Sequence, residues 1–233
     1  MSLAPPGRRA VVVAGCRTPF AKAGTVFRDA TASELARHCT RELLYRTEIR
    51  GDEVDEVIYG QVVPSPLVPN VAREVSLLPQ FPRTIPAYTL NRACASGAQA
   101  IANAADQIHA GHASVEVLSD VPIMHTRKMA QILQGLAKAR SLGERLALLS
   151  QIRLRDLKPV APAIAEPSTG ESMGQSAEKM AKENGITREA QDEYALMSHR
   201  RAAAAIADGR ITGEIVPWFG GRGMDEVVTT DNL

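Results

Sequence analysis

The 233-residue chain has little of what makes a function easy to read. It carries three cysteines, Cys16, Cys39 and Cys94, and no two of them stand at CxxC spacing. That argues against a thiolate metal site and against a disulfide framework, and it fits a reducing compartment. Aromatic residues make up only 4% of the chain, so a core must rest on Ala, Val, Leu and Ile. A net charge of +1 gives no global argument for binding nucleic acid or a membrane. No run of about 18 apolar residues occurs, so no membrane-spanning helix is expected. Residues 1–9 are polar and Pro-rich, without an apolar stretch behind a basic start, and no secretory leader is expected.

What the chain does have is alternation. Arg9 to Gly15 (RAVVVAG), Val54 to Tyr59, Ile85 to Leu90 and Ala113 to Leu118 are short apolar runs that read as buried strands. Between them lie helical patterns. Thr31 to Glu48 carries a capping box, with Glu34 three residues after Thr31, and Gly51 is expected to stop it. Asn70 to Leu78 is a short helix ended by Pro79 and Pro82. Ala93 to Ala110 is a helix of small residues ending near Gly111. Strands alternating with helices predict a largely parallel sheet covered by helices. Reactive groups in such sheets gather at the carboxyl ends of strands.

Cys94 lies just past the third strand, where the helix opens. A thiol in the first turn of a helix would face unpaired N–H groups and the positive end of the dipole, and both favour thiolate. Gly97 and the neighbouring alanines would permit close approach of another backbone or a thin substrate. The same pattern also suits a small buried apolar cysteine, so the local residues alone leave both readings open.

Past about Ser119 the character changes. Arg127 to Lys158 holds eight basic residues (Arg127, Lys128, Lys138, Arg140, Arg145, Arg153, Arg155 and Lys158) against two acidic ones, Glu144 and Asp156. Met129, Ile132, Leu133 and Leu136 share one helical face, and Leu142, Leu146, Leu149 and Ile152 form a second set. Such a basic amphipathic pair suits an ordinary surface packed on its own core. It also suits docking to an anionic membrane or a partner subunit, or attraction of a phosphate-bearing ligand. After a Pro-rich loop, a helix opens at Ser168 to Gly174 and breaks at Gly185. Thr187 is a cap candidate for a long helix through Ala207. Glu214 to Phe219 is strand-like but broken by Pro217, so an edge strand is expected.

Several stretches, in matching order, resemble the amino-terminal half of a thiolase. They are Arg17-Thr-Pro-Phe20, the Asn70-Val-Ala-Arg73 region, Asn91-Arg-Ala-Cys94-Ala-Ser-Gly97-Ala-Gln-Ala-Ile101, Met173-Gly174, and Glu193-Tyr-Ala195 through Ser198-His-Arg200. Within that family, the basic insert ending Arg153-Leu-Arg-Asp-Leu-Lys-Pro159 and the Ser168 to Gly174 stretch resemble the β subunit of the fatty-acid β-oxidation multienzyme complex. The resemblance implies an α/β fold, a layered α/β/α sheet domain carrying an inserted, mostly helical loop domain. It sets the sheet domain at 1–118, the insert at 119–213, and a return strand and tail at 214–233.

It also implies degradative 3-ketoacyl-CoA thiolysis with Cys94 as the acyl-accepting nucleophile. Coenzyme A and acyl-CoA would be substrates, with no bound cofactor and no metal. Ser172 and Met173 would lie on the CoA side, Ser172 standing where many thiolases have a histidine. Arg140, Arg145, Arg153 and Arg155 would face the membrane or a partner α subunit carrying hydratase and dehydrogenase activities. A homodimer or higher oligomer is implied, with no nucleic acid. The compartment would be the bacterial cytoplasm or, alternatively, the mitochondrial matrix.

The chain also departs from the family. A Gly-His-Pro histidine, a Cys-x-Gly acid/base cysteine and an Asn-Glu-Ala-Phe-type segment belong to the family's second half and do not occur in these residues. Val115-Glu-Val117 meets Leu118-Ser-Asp120 directly, where thiolases place a Gly-Gly turn. Three readings therefore stand: one half of a working thiolase; an inactive thiolase-like scaffold or binding module; or another acyl-transfer enzyme on the same fold, such as a ketoacyl synthase or a biosynthetic acetoacetyl-CoA thiolase. The cysteine context and the insert count against the ketoacyl synthase. A lone half would leave a large apolar sheet face uncovered, which favours the first reading over the second.

Overall fold

The computed structural model describes residues 9–22, 24–110, 127–139, 141–157, 165–166, 168–220 and 226–231. The chain divides into two compact units, Met1–Pro122 with Ala202–Leu233, and Ile123–Arg201.

In the first unit, helix α1 (Ala32–Thr47) starts as its sequence dictates. The Thr31 hydroxyl accepts from the Glu34 N–H at 3.2 Å, and the Glu34 carboxylate accepts from the Thr31 N–H at 2.8 Å. Its end differs from expectation. The helix stops at Thr47, and Glu48 turns the chain at φ 55°. Gly51 instead allows a close backbone crossing. A Cβ there would lie 2.0 Å from the Gln80 carbonyl oxygen, so two backbone segments meet where only glycine fits.

Strand β1 (Val57–Gly60) pairs in parallel with β2 (Ala87–Leu90), Val57 opposite Ala87 and Gly60 opposite Leu90. Helix α2 (Val71–Ser76), capped by Asn70, packs on both strands and against α1. Helix α3 (Ser96–Ala110) packs on β1. All four residues of β1 are buried, as in a parallel strand covered on both faces. Val57 and Tyr59 join Ala36, Val71, Ala72, Val75, Leu78, Phe81 and Ile85 in one apolar core. Ile58 and Gly60 alternate to the opposite face, where Gly60 meets the start of α3. The Tyr59 hydroxyl, fully buried, is satisfied by Thr40 Oγ1 at 2.6 Å, and burial pushes the phenol well above its ordinary range.

The expected first strand does not form. Residues 9–15 pair with no described strand, and Val11, Val12 and Val13 are exposed, Val12 to 86%. Valine's β preference is a preference for a half-buried pleated surface, and no described neighbour supplies one here. Pairing begins only at Arg17, whose backbone bonds Glu214 and Val216 on the returning chain. The expected fourth strand, Ala113 to Leu118, lies outside the described residues, as does the point where the Gly-Gly turn would fall. The parallel sheet among the described residues therefore has two strands.

The edge strand expected over Glu214 to Phe219 forms only beyond Pro217, as β3 (Trp218–Gly220), antiparallel to β4 (Glu226–Val228); Thr212–Glu214 is a 3-10 turn and Ile215 makes a single bridge to Arg17. Trp218 stacks edge-on against His38 and Phe27, and His38 Nε2 donates to the Pro217 carbonyl at 2.7 Å.

In the second unit, α4 (Arg127–Lys138) packs against α5 (Leu142–Leu149). Met129 and Ile132 are buried, and Gly135 admits the Leu148 side chain. Lys128 Nζ bonds the Gln151 carbonyl at 2.7 Å and the Asp156 carboxylate, tying α4 to the chain beyond α5. Helix α6 (Met173–Glu183) follows, and then α7 (Arg188–Ala207), whose last turns are counted with the first unit. The Thr187 hydroxyl caps α7 by accepting from the Ala190 N–H at 3.2 Å. Among the described residues, no helix is long and apolar enough to cross a membrane.

Candidate active site

Cys94 sits between the end of β2 and the start of α3, and its side chain is exposed. It does not lie in the first turn of the helix, as the residue pattern suggested. The first helical bond runs from the Gln99 N–H to the Ala95 carbonyl, so Cys94 precedes the cap. The cause is a tight turn over residues 92–95. Ala93 adopts φ 46°, a left-handed conformation that costs an alanine about 1–2 kcal/mol.

Three features hold that turn. The Asn91 Oδ1 accepts from the Ala93 N–H at 2.9 Å, while its Nδ2 donates to the Val62 carbonyl at 2.6 Å. The Ser96 hydroxyl, fully buried, donates to the Ala93 carbonyl at 2.6 Å and accepts from the Arg92 N–H at 2.8 Å. Gly60, at the end of β1, leaves room for the helix: a Cβ there would fall 2.5 Å from the Ser96 carbonyl carbon and 2.7 Å from the Gly97 nitrogen. The close approach expected of Gly97 is thus granted from the strand side. A polar chain continues along α3: Arg92 to Gln99, Gln99 to Asn103 at 2.7 Å, and Asn103 to the Tyr88 hydroxyl at 3.1 Å. The sequence pattern singled out Cys94 but not Asn91, Ser96 or Gly60. An Asn two residues before a left-handed position is a turn signal that could have been read.

The Arg17-Thr-Pro-Phe20 stretch is anchored at long range. The Arg17 guanidinium grips Asp231 in a bidentate pair and lies 4.5 Å over the Phe20 ring, and the Phe20 N–H donates to the same carboxylate at 2.7 Å. Beside it, the Cys16 thiol donates to the Cys39 carbonyl at 3.4 Å.

The remaining candidates lie in the second unit. Ser172 is the N-cap of α6: its hydroxyl accepts from the Gln175 N–H at 3.3 Å, and Gln175 Oε1 accepts from the Ser172 N–H at 2.8 Å. Met173 is 71% exposed. Arg145 is exposed and reaches the Ala139 carbonyl at 3.4 Å; Arg153 is exposed, and its N–H bonds Asp156. Arg140 and the Arg155 side chain lie outside the described residues. On α5, Leu142 (74% exposed), Leu146 and Leu149 present an uncovered apolar stripe, with exposed Leu157 further along. Among the described residues, no group of three or more His, Cys, Asp and Glu is placed to hold a metal ion.

Comparison with known proteins bears on the family and the fold. Residues 10–233 match the model of the thiolase N-terminal domain. The chain belongs to the thiolase family. It is 45% identical over 218 residues to a 3-ketoacyl-CoA thiolase of Pseudoalteromonas translucida, covering 91% of this chain and 50% of that protein. It is 46% identical over 215 residues to one of Aeromonas salmonicida, covering 90% and 49%. With one of Escherichia coli it shares 44% over 219 residues, covering 91% and 50%. This thiolase chain thus spans about half the length of the curated relatives it matches. Its structure resembles the crystal structure of the Bacillus anthracis acetyl-CoA acetyltransferase, with a TM-score of 0.72 and 29% identity over 97% of this chain and 54% of that one. The α/β thiolase fold implied by the resemblance is the fold observed.

Proposed function

We propose that this chain is the nucleophile-bearing half of a degradative 3-ketoacyl-CoA thiolase, an acetyl-CoA acyltransferase of fatty-acid β-oxidation. The observation that carries the reading is the exposed Cys94 thiol on a braced left-handed turn at the carboxyl end of β2. The Cys94 sulfur bonds to the C3 carbonyl carbon of a 3-ketoacyl-CoA. The C2–C3 bond breaks, its electron pair leaves on the acetyl-CoA fragment, and that carbon takes a proton. A second CoA thiol then attacks the Cys94 thioester, releasing the shortened acyl-CoA and restoring the thiol. The Gly-His-Pro and Cys-x-Gly groups that move protons in the family are not among these 233 residues, so the full cycle needs groups from outside this stretch. Coenzyme A and acyl-CoA serve as substrates, and no cofactor is bound.

Ser172 and Met173 are proposed on the CoA side, Met173 by its exposed side chain and Ser172 by shaping the start of α6. The sheet domain is proposed at 1–118, the helical insert at 119–213 and the return segment at 214–233. The insert docks a partner subunit of hydratase and dehydrogenase type or an anionic membrane surface. The support is the exposed leucine stripe of α5 beside Arg145 and Arg153, with Arg140 and Arg155 close in sequence. A homodimer or higher oligomer and a bacterial cytoplasmic setting complete the reading; the relatives named above are bacterial.

The test is direct acylation. At about pH 9, where an ordinary thiol ionises without a general base, the chain is incubated with a 3-ketoacyl-CoA and digested. An acyl adduct on the Cys94 peptide with release of acetyl-CoA, both absent in Cys94→Ala, is the expected result. No adduct on Cys94, or release that persists in Cys94→Ala, overturns it.

A further inference from the structure

We infer that Asn91 and Ser96 are positioning residues for Cys94, acting through the peptide groups of Ala93. The inference rests on the reading of Cys94 as nucleophile. Ala93 is the residue immediately before Cys94, and its left-handed backbone is one an alanine avoids unless surrounding bonds impose it. Both of its peptide groups are held by side chains. The Asn91 carboxamide takes its N–H, and the Ser96 hydroxyl bonds its carbonyl. The two clamps come from opposite sides of the turn, so the pair fixes the direction in which the next residue leaves the chain.

Each clamp is itself anchored. Asn91 also donates to the Val62 carbonyl just beyond β1, which ties the turn to the sheet. Ser96 is fully buried and bonds the Arg92 N–H as well, which ties the turn to the first residue of α3. With the clamps in place, Cys94 leaves the turn one residue ahead of the α3 cap, and the turn itself is closed by the Ala95 N–H on the Arg92 carbonyl and the Ser96 N–H on the Ala93 carbonyl. Without them Ala93 relaxes to an ordinary right-handed or extended conformation, and Cβ of Cys94 swings away from that position. The action assigned to them is on the aim of the sulfur.

The experiment measures iodoacetamide labelling of Cys94 by peptide mass spectrometry, with Cys16 in the same molecule as the internal reference. A merely structural loss would alter both thiols and the melting temperature together. Asn91 is exposed, so its variants leave the core untouched. The expected result for Asn91→Ala is a fall of about ten-fold in the Cys94-to-Cys16 labelling ratio, with an unchanged melting temperature. Asn91→Ser, which keeps an acceptor two residues before the Ala93 N–H, is expected within about two-fold of the parent chain. Ser96→Ala is expected to match Asn91→Ala where it folds; the Asn91 pair decides the matter where it does not. An unchanged ratio in Asn91→Ala, or a ratio that Asn91→Ser fails to restore, overturns the inference. A parallel arm with a 3-ketoacyl-CoA separates the two claims. Failure of acylation in the parent chain counts against the thiolase reading, while the alkylation ratios still decide whether the clamp exists.

Discussion

Arg17 and Asp231 face each other in a bidentate pair, at 2.7 and 3.0 Å, across almost the whole length of the chain. The pair closes the loop that follows residues 9–16 against the far end of the described chain.

That pair sets an acid limb. The Arg17 hydrogen bonds hold the Asp231 carboxyl below its ordinary value of 3.8. A carboxyl whose folded value is depressed adds stability that is fully present above the unfolded value and is lost as pH falls through the folded one. Asp231→Asn is therefore expected to cost about 1 kcal/mol near neutral pH, since the pair is partly solvated. It should also flatten the loss of stability below about pH 4. Urea melts of both chains from pH 7 to pH 2 check this; parallel curves would refute it.

Gly60→Ala tests the seat of α3. Its Cβ would lie 2.5 Å from the Ser96 carbonyl carbon, and the obstacle is backbone that cannot rotate aside. The expected cost is about 1–3 kcal/mol. Because the helix start must shift, the Cys94 labelling rate should change as well. A fully stable variant with native labelling would contradict the geometry.

Leu78→Ala tests the core. Leu78 is fully buried in the cluster formed by α1, α2 and β1. Removal should cost about 2–5 kcal/mol and lower the denaturant midpoint without changing its slope. A loss below about 1 kcal/mol would mean that the site is solvated in solution.

The neighbouring thiols should differ in order. The side-chain hydrogen bond between the Cys16 and Cys39 thiols, distinct from the Cys16 bond to the Cys39 carbonyl, holds the Cys16 thiol below its ordinary value, opposed by burial and aided by Arg46. The same contact, with burial, pushes the Cys39 thiol up. Timed alkylation of the folded chain is expected to label Cys16 well before Cys39, and Cys39 only after denaturation. Equal rates would remove the contact.

The α5 stripe can be tested by flotation with anionic vesicles at low and high salt. Retention that falls with salt and is lost in Leu146→Glu is expected if the membrane is the docking surface; retention indifferent to both argues for a protein partner.

The sequence showed those elements whose causes are local. Thr31 and Glu34 are three residues apart and cap α1 by themselves. The β-branched and aromatic residues of β1 are flanked by helical patterns, and they form the parallel strand expected of them. Cys94 stood out because it falls at the junction of an apolar run and an alanine-rich helical pattern. Its support was less visible. Gly60 acts on Ser96 across 36 residues, and Asp231 on Arg17 across 214, through contacts that no periodicity records. Residues 9–15 show the opposite failure. Their pattern was plain, but a strand is a relation between segments, and the described residues offer it no partner.

Val11, Val12 and Val13 thereby give the chain a concentration-dependent character. Uncovered β-branched side chains, on backbone that pairs with no described strand, gain most from another strand, and any strand that binds them stabilises the folded state by mass action. A strand supplied in solution that pairs with residues 11–13 is expected to raise the melting temperature of this polypeptide.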